Sequence, residues 1–277
     1  MVSLAKEEVE EECGPTYDPL EGLTEEERAA YDEMVVAVAR VGEEEEGVDV
    51  GAAVASGWLS PATYCRYLRA RGWRVDKAAT MLVATLKWRA EYRPEEIRVE
   101  DVWDEFENEG KMYVSDRKDD AGRPIIYQRP GLDNTTDRET KVRYLVYTVE
   151  KALASIDDPA VETMTIITDF GGYSQLTGMR NIKISKDVAS ILQNHYPERL
   201  GAVYMLNNPW VWKIFWAAVS PFVDRKTRDK ITFCGSSREP IATAISSSNL
   251  ELDFGGLHTF EYDPHSYASW VDQFVRK

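Results

Sequence analysis

The chain has 277 residues, of which 43% are hydrophobic and 29% are charged, as is ordinary for a globular protein with a buried core. It contains no run of about 18 apolar residues and no apolar stretch behind a basic start, so it predicts neither a transmembrane helix nor a secretory signal. A net charge of −15 argues against nucleic acid as a partner, because phosphate binding needs a basic surface. The three cysteines are odd in number and far apart, which favours a reducing, cytoplasmic compartment.

The acidic residues are concentrated at the N-terminus. Residues 1–57 hold 17 acidic and 3 basic residues, a local net charge of −14. One helix is predicted there, because Thr24 and Glu27 have capping-box spacing and apolar residues follow with helical period from Met34 to Val41. We interpret residues 1–57 as an acidic leader with one helix, largely a solvated tail, that ends in a loop over residues 47–57.

A small helical unit is predicted over residues 58–110. Ser60 before Pro61 is a strong helix start, and that helix is expected to end before Gly72. Apolar residues at steps of three and four predict a second helix over residues 76–92. A third, short helix is predicted around residues 99–107.

Beyond Tyr113 short apolar runs alternate with helical stretches. The predicted strands are Ile125–Tyr127, Met164–Phe170, Val203–Leu206 and Ile231–Cys234, and the predicted helices are Arg138–Ile156 and Ile182–His195. This alternation is typical of an α/β fold with a mostly parallel sheet and crossover helices. Residues 111–277 are therefore expected to form the main domain.

Signatures of catalysis are missing from the sequence. No glycine-rich phosphate loop, Walker lysine or nucleophile elbow is present. His195, His258 and His265 lack metal-ligand spacing with one another or with cysteine, so each is interpreted as a core or cap histidine. The prediction is a protein that is not an enzyme and that holds no metal or cofactor.

An aromatic segment lies between Asn208 and Phe222. Its apolar rings point in several directions around one short predicted helix, so a single face cannot bury them all: Trp210, Trp212, Phe215 and Trp216. One interpretation is a helix sunk in a core on all sides. The other is a mobile lid that covers an apolar cavity and meets lipid on its outer face, where tryptophan is well suited.

Two ionisable residues precede consecutive predicted strands. Glu198 comes just before the strand that ends at Leu206, and Lys230 comes immediately before Ile231. If these strands are parallel neighbours, both side chains fall at the same edge of the sheet. Spacing alone favours two solvated charges at strand starts, since ligands of open α/β sheets usually sit at the carboxyl ends of the strands.

Several motifs between Ser60 and Tyr262 together resemble the CRAL-TRIO family, specifically its branch of yeast-type phosphatidylinositol/phosphatidylcholine transfer proteins. The motifs are Tyr67–Trp73, Lys87–Arg89, Arg129–Gly131 with Asn134–Thr135, Leu145–Tyr147 with Glu150, His195–Gly201, Asn208–Trp210, Pro221–Asp224 and Lys230–Ile231. The motifs between Arg129 and Glu150 resemble the fungal phosphatidylinositol transfer proteins linked to drug resistance. The resemblance implies a helical unit on an α/β domain whose sheet floors an apolar lipid cavity gated by a helix.

The resemblance also implies a headgroup site. The family's phosphatidylinositol contacts match Arg71, Glu198, Thr227 and Lys230 in this chain. Gly72 stands where the family has a second basic residue, which weakens the expected phosphate contact. The family's phosphatidylcholine motif has a tyrosine in the strand after Gly-Arg-Pro, whereas this chain has Ile125 and Ile126 there, with Tyr127 offset.

The hypothesis from these observations is a cytoplasmic phosphatidylinositol-binding and transfer protein. Its lid and membrane-docking residues are Trp210, Trp212, Phe215 and Trp216, its ligand is a phospholipid, and its partner is a transient membrane surface. Two alternatives remain open. One is a sterol or another hydrophobic ligand on the same fold, and the other is a regulatory module whose acidic leader binds a basic partner.

Overall fold

The structure, a computed structural model, describes residues 17–107, 110–209, 216–217, 220–222 and 225–274. Its helices are α1 (Glu25–Glu44), α2 (Val50–Ala55), α3 (Pro61–Ala70), α4 (Val75–Tyr92), α5 (Trp103–Phe106), α6 (Arg138–Ala154), α7 (Gln175–His195), α8 (Arg225–Asp229), α9 (Glu239–Ala244) and α10 (Pro264–Val271). Its strands are β1 (Met112–Lys118), β2 (Pro124–Gln128), β3 (Met164–Asp169), β4 (Leu200–Leu206) and β5 (Ile231–Gly235).

Helices α1, α3 and α4 form an N-terminal unit with its own apolar core. The capping box of α1 is present, with the Thr24 hydroxyl accepting from the Glu27 N–H at 3.2 Å and the Glu27 carboxylate accepting from the Thr24 N–H at 3.0 Å. Met34 and Val38 of α1 are fully buried against this core. The interpretation of the leader as a solvated tail is therefore wrong for α1, because its apolar stripe packs on α4.

The predicted loop over residues 47–57 contains the short helix α2. Asp49 caps it by accepting from the Ala52 N–H at 2.8 Å. Gly42, near the end of α1, allows the approach of α2, since a Cβ there would lie 2.4 Å from Val50 Cγ2. The loop prediction is wrong over Val50–Ala55, where small residues form a turn and a half of helix.

The sheet has the order β1-β2-β3-β4-β5. Strands β2 to β5 are parallel, and β1 pairs antiparallel with β2 at one edge. The four predicted strands are all present, whereas β1 was not predicted because its second half is polar and exposed. The α/β class with a mostly parallel sheet and an N-terminal helical part is confirmed.

Buried ion pairs tie the helical unit to the sheet domain. Arg66 and Arg69 of α3 both donate to Glu162, which lies just before β3, at 2.8 and 2.5 Å. Arg89 of α4 donates to Glu150 of α6 at 2.7 Å, and both side chains are only 8% exposed. Charges this deeply buried are tolerated only when they are paired, so these contacts fix how α3 and α4 sit on the sheet.

Candidate functional site

A cavity of about 730 Å³ lies over one face of the sheet. Its floor includes one register row of branched apolar side chains across four strands, which pair in the order Ile126, Ile166, Val203 and Ile231. Residues of α7 line it as well, among them Val188, Ala189 and Leu192. A cavity of this size with mostly apolar walls is typical of a site for a hydrophobic small molecule.

The four predicted headgroup residues all line this cavity. Arg71 is the C-cap of α3, Glu198 precedes β4, and Thr227 and Lys230 lie on and just after α8. The parallel pairing of β4 with β5 brings Glu198 and Lys230 to the amino edge of the sheet. Three segments that are distant in the sequence therefore meet at one end of the cavity.

Hydrogen bonds hold these side chains in place. Lys230 Nζ donates to the Leu200 carbonyl at 2.7 Å, and its backbone N–H donates to the Thr227 carbonyl at 3.2 Å. Lys226 Nζ lies 3.6 Å from Glu198 Oε1 and donates to the Arg69 carbonyl at 3.2 Å, so it links α8 to α3. Glu198 itself has left-handed backbone geometry, with φ at +56°, which is uncommon for a residue with a side chain.

The charge at this end is positive. Among the described residues at this end, Arg71, Lys226 and Lys230 outnumber the carboxylate of Glu198 and favour an anionic group. Gln193 of α7 lines the cavity too, and its buried Nε2 has no hydrogen-bond partner among the described residues. Sequence reasoning missed Gln193, because a polar residue near a helix end reads as solvent-exposed.

Of the predicted lid, Trp210, Trp212 and Phe215 lie outside the described residues. Trp216 is described, and its ring meets the ring of Phe233 on β5 edge-on at 5.7 Å. Phe233 is 49% exposed, so the pair lies at the protein surface beside the last strand. This contact puts Trp216 of the aromatic segment next to β5, the strand that Lys230 precedes.

None of the three histidines lines the cavity. The His195 ring stacks on Trp88 at 4.3 Å, and burial, followed by the charge of Arg89, lowers the pKa of His195 to about 4. His258 pairs with Asp116 at 2.8 Å. Over the described part of the chain, no group of three histidine, cysteine or acidic side chains is arranged to hold a metal ion.

The opposite end of the cavity is also polar. Gln128, the last residue of β2, and Thr168, the next-to-last residue of β3, lie there next to four charged side chains: Glu105, Lys111, Asp133 and Lys141. None of these six residues was predicted, because they are scattered through the sequence and only the fold gathers them.

Within the described residues, no helix has the length and hydropathy needed to cross a bilayer.

This architecture, a ligand-sized apolar cavity between a parallel sheet and helices, defines a class of cavity-forming binding domain. The chain belongs to the CRAL-TRIO family: the model of the CRAL/TRIO domain matches residues 107–256, and that of the CRAL/TRIO N-terminal domain matches residues 16–84. The solved structure of Sfh5 is similar at a TM-score of 0.67 and 19% identity, covering 90% of this chain and 96% of that one.

Two curated relatives are about one third identical to this chain over the residues that align. A CRAL-TRIO domain-containing protein of Schizosaccharomyces pombe is 33% identical over 210 residues, which is 76% of this chain and 20% of that protein. The phosphatidylinositol transfer protein PDR17 of Saccharomyces cerevisiae is 33% identical over 226 residues, which is 78% of this chain and 62% of that protein. The chain thus spans less than two thirds of the length of each.

Proposed function

We propose that this protein binds phosphatidylinositol in the cavity and transfers it between membranes. The observation that carries the proposal is the meeting of Arg71, Glu198, Thr227 and Lys230 at one end of an apolar cavity of about 730 Å³. Similarity to the phosphatidylinositol transfer protein PDR17 supports the same ligand class.

The polar end suits an inositol phospholipid. A phosphodiester carries one negative charge, which Lys230 and Arg71 attract while the Thr227 hydroxyl donates a hydrogen bond. Glu198 cannot contact the phosphate favourably, but its carboxylate accepts hydrogen bonds from inositol hydroxyls. Choline offers no hydroxyl, so Glu198 is the residue that favours phosphatidylinositol over phosphatidylcholine.

The apolar walls suit the acyl chains. Taking a lipid with about 30 buried methylenes out of a bilayer costs about 24 kcal/mol, at ~0.8 kcal/mol per group. Only a closed apolar cavity offsets that loss. The lid formed by Trp210, Trp212, Phe215 and Trp216 therefore opens at a membrane surface and closes over the chains, and no covalent bond changes in the exchange.

This cycle needs a protein that moves through water between membranes. We accordingly assign it to the cytoplasm, with peripheral and transient membrane contact. Cys65 and Cys234 are both free thiols, which suits a reducing compartment.

A vesicle transfer assay with labelled phosphatidylinositol tests the headgroup assignment. Lys230→Ala and Glu198→Ala are each expected to lower transfer by about 10- to 100-fold, since a hydrogen bond to a charged group contributes about 1.5–3 kcal/mol. Lys118→Ala is the matched control, because Lys118 pairs with exposed Asp157 and does not line the cavity.

Labelled phosphatidylcholine in the same assay separates the role of Lys230, which is to bind the phosphate, from that of Glu198, which is to bind the inositol hydroxyls. Glu198→Ala is expected to spare whatever phosphatidylcholine transfer the protein has, whereas Lys230→Ala lowers transfer of both lipids because both carry a phosphate. Undiminished phosphatidylinositol transfer by both folded variants would refute the site.

A further inference from the structure

Glu198 places a negative charge beside the position proposed for the lipid phosphate. It lines the same end of the cavity as Arg71, Thr227 and Lys230, and its side chain is only 21% exposed. Two negative charges in a partly buried site repel each other more strongly than in water, because less solvent screens them. The site therefore needs a cation that balances Glu198 itself, in addition to the cations that attract the phosphate.

Lys226, in the first turn of α8, lies beside this carboxylate. Its ammonium Nζ is 3.6 Å from Glu198 Oε1 and donates to the Arg69 carbonyl at 3.2 Å. Arg69 lies near the end of α3, where the carbonyls of a helix carry partial negative charge. The ammonium of Lys226 is thus held between the carboxylate of Glu198 and the C-terminal end of α3.

Neighbouring cations along this part of the chain have other contacts. Lys230 Nζ donates to the Leu200 carbonyl at 2.7 Å, whereas Arg225 Nε lies 4.0 Å from Asp229 and its side chain is 90% exposed. Lys226 lines the cavity and its side chain is 66% exposed, so it lies at the cavity mouth. These contacts distinguish Lys226 both from the proposed phosphate ligand Lys230 and from the solvated Arg225.

We infer that Lys226 is a positioning residue of the headgroup site: it balances the charge of Glu198, so that this carboxylate can bind inositol hydroxyls without repelling the lipid phosphate. Lys226 acts through Glu198 and not by contact with the phosphate, which separates its role from that of Lys230. The inference rests on the proposed function, because Lys226 has this role only if phosphatidylinositol occupies the cavity. Without Lys226, Glu198 becomes an unbalanced negative charge at the cavity mouth.

A double-variant comparison tests this role with the full-length protein and labelled phosphatidylinositol in the vesicle transfer assay. Lys226→Met is expected to lower transfer about tenfold, the factor that about 1.4 kcal/mol of charge repulsion gives. Glu198→Gln keeps an acceptor oxygen for inositol hydroxyls but has no charge. In the Glu198→Gln background, Lys226→Met is therefore expected to cause no further loss, because the charge that Lys226 balances is gone.

Two single variants serve as controls. Lys226→Arg keeps the positive charge and is expected to transfer as well as wild-type protein. Arg228→Met removes a positive charge from the same helix, but Arg228 is exposed and does not line the cavity, so transfer is expected to stay unchanged. Urea unfolding of each variant establishes that all of them are compared in the folded state.

The outcomes separate this inference from the proposed function. An equal loss from Lys226→Met in the wild-type and Glu198→Gln backgrounds would overturn the inference, because Lys226 would then act independently of Glu198. No loss in the wild-type background would overturn it as well, since Lys226 would then be a solvated charge. In both cases wild-type protein still transfers phosphatidylinositol and the proposed function stands. Failure of wild-type protein to transfer phosphatidylinositol would overturn both.

Discussion

Glu162 joins the helical unit to the sheet at a point close to the headgroup site. Arg66 and Arg69 donate to it at 2.8 and 2.5 Å, and the Arg66 and Glu162 side chains are only 7% and 15% exposed. Both arginines lie on α3, whose C-cap Arg71 lines the cavity. Glu162 thus holds the helix that carries a predicted phosphate contact.

Glu162→Gln keeps the shape of the side chain but removes its charge and turns an amide NH₂ group toward one of the two guanidinium groups. Removing one partner of a buried pair costs about 3–5 kcal/mol, and the partial exposure of Arg69 and Glu162 reduces this to about 2–3 kcal/mol. Asp157→Asn is the matched control. Its carboxylate also contacts a cation at 2.5 Å, from Lys118, but is 88% exposed, so the expected cost is below about 0.5 kcal/mol.

Urea unfolding, monitored by tryptophan fluorescence, measures the loss of unfolding free energy in both variants. Vesicle transfer measures the effect on function. Under conditions where both variants are folded, Glu162→Gln is expected to lower phosphatidylinositol transfer because α3 and Arg71 lose their anchor, whereas Asp157→Asn is expected to leave transfer unchanged. Similar unfolding costs for the two variants would show that burial does not decide the strength of this contact.

Two further predictions concern stability. Burial raises the pKa of Glu251 to about 7, so the folded state keeps a proton that the unfolded chain releases near pH 4.5, and the free energy of unfolding falls by on the order of 3 kcal/mol as pH rises from about 4.5 to 7. Glu251→Gln should flatten this part of the stability curve in urea melts, and an unchanged slope would contradict the assignment. Gly131→Ala should cost about 1–3 kcal/mol, because the new Cβ would lie 2.0 Å from the Gly171 carbonyl oxygen. Gly51→Ala, whose Cβ has no neighbour closer than 3.4 Å, is its control, and equal melting temperatures for the two would count against the clash.

Local sequence signals predicted much of the secondary structure. Thr24 with Glu27 and Ser60 with Pro61 start helices where the structure has them, because a cap acts on the backbone of its own first turn. The same signals did not predict β1 or α2. Strand β1 forms by pairing with β2, and helix α2 packs closely on Gly42 of α1.

The candidate site was likewise predicted only in part. Glu198 and Lys230 were linked by the family resemblance and by their positions before two strands, and the parallel pairing of β4 with β5 then put them at one edge. No sequence pattern predicted the charged side chains at the opposite end of the cavity. Lys111 and Lys141 are 30 positions apart in the sequence and look like solvated charges until the fold buries them against Asp133.

The sequence by itself determined where most helices begin, which segments are apolar enough to be strands, and the family to which they belong. Helix starts and strand-forming segments depend on interactions between residues within a few positions of one another, and the family resemblance depends on short motifs. Only the tertiary structure decided that side chains from β2 to β5 align into one apolar row, that a cavity lies over it, and that both of its ends are polar. Strand register and helix docking set these features through contacts between distant segments, and no local pattern encodes the space left between them.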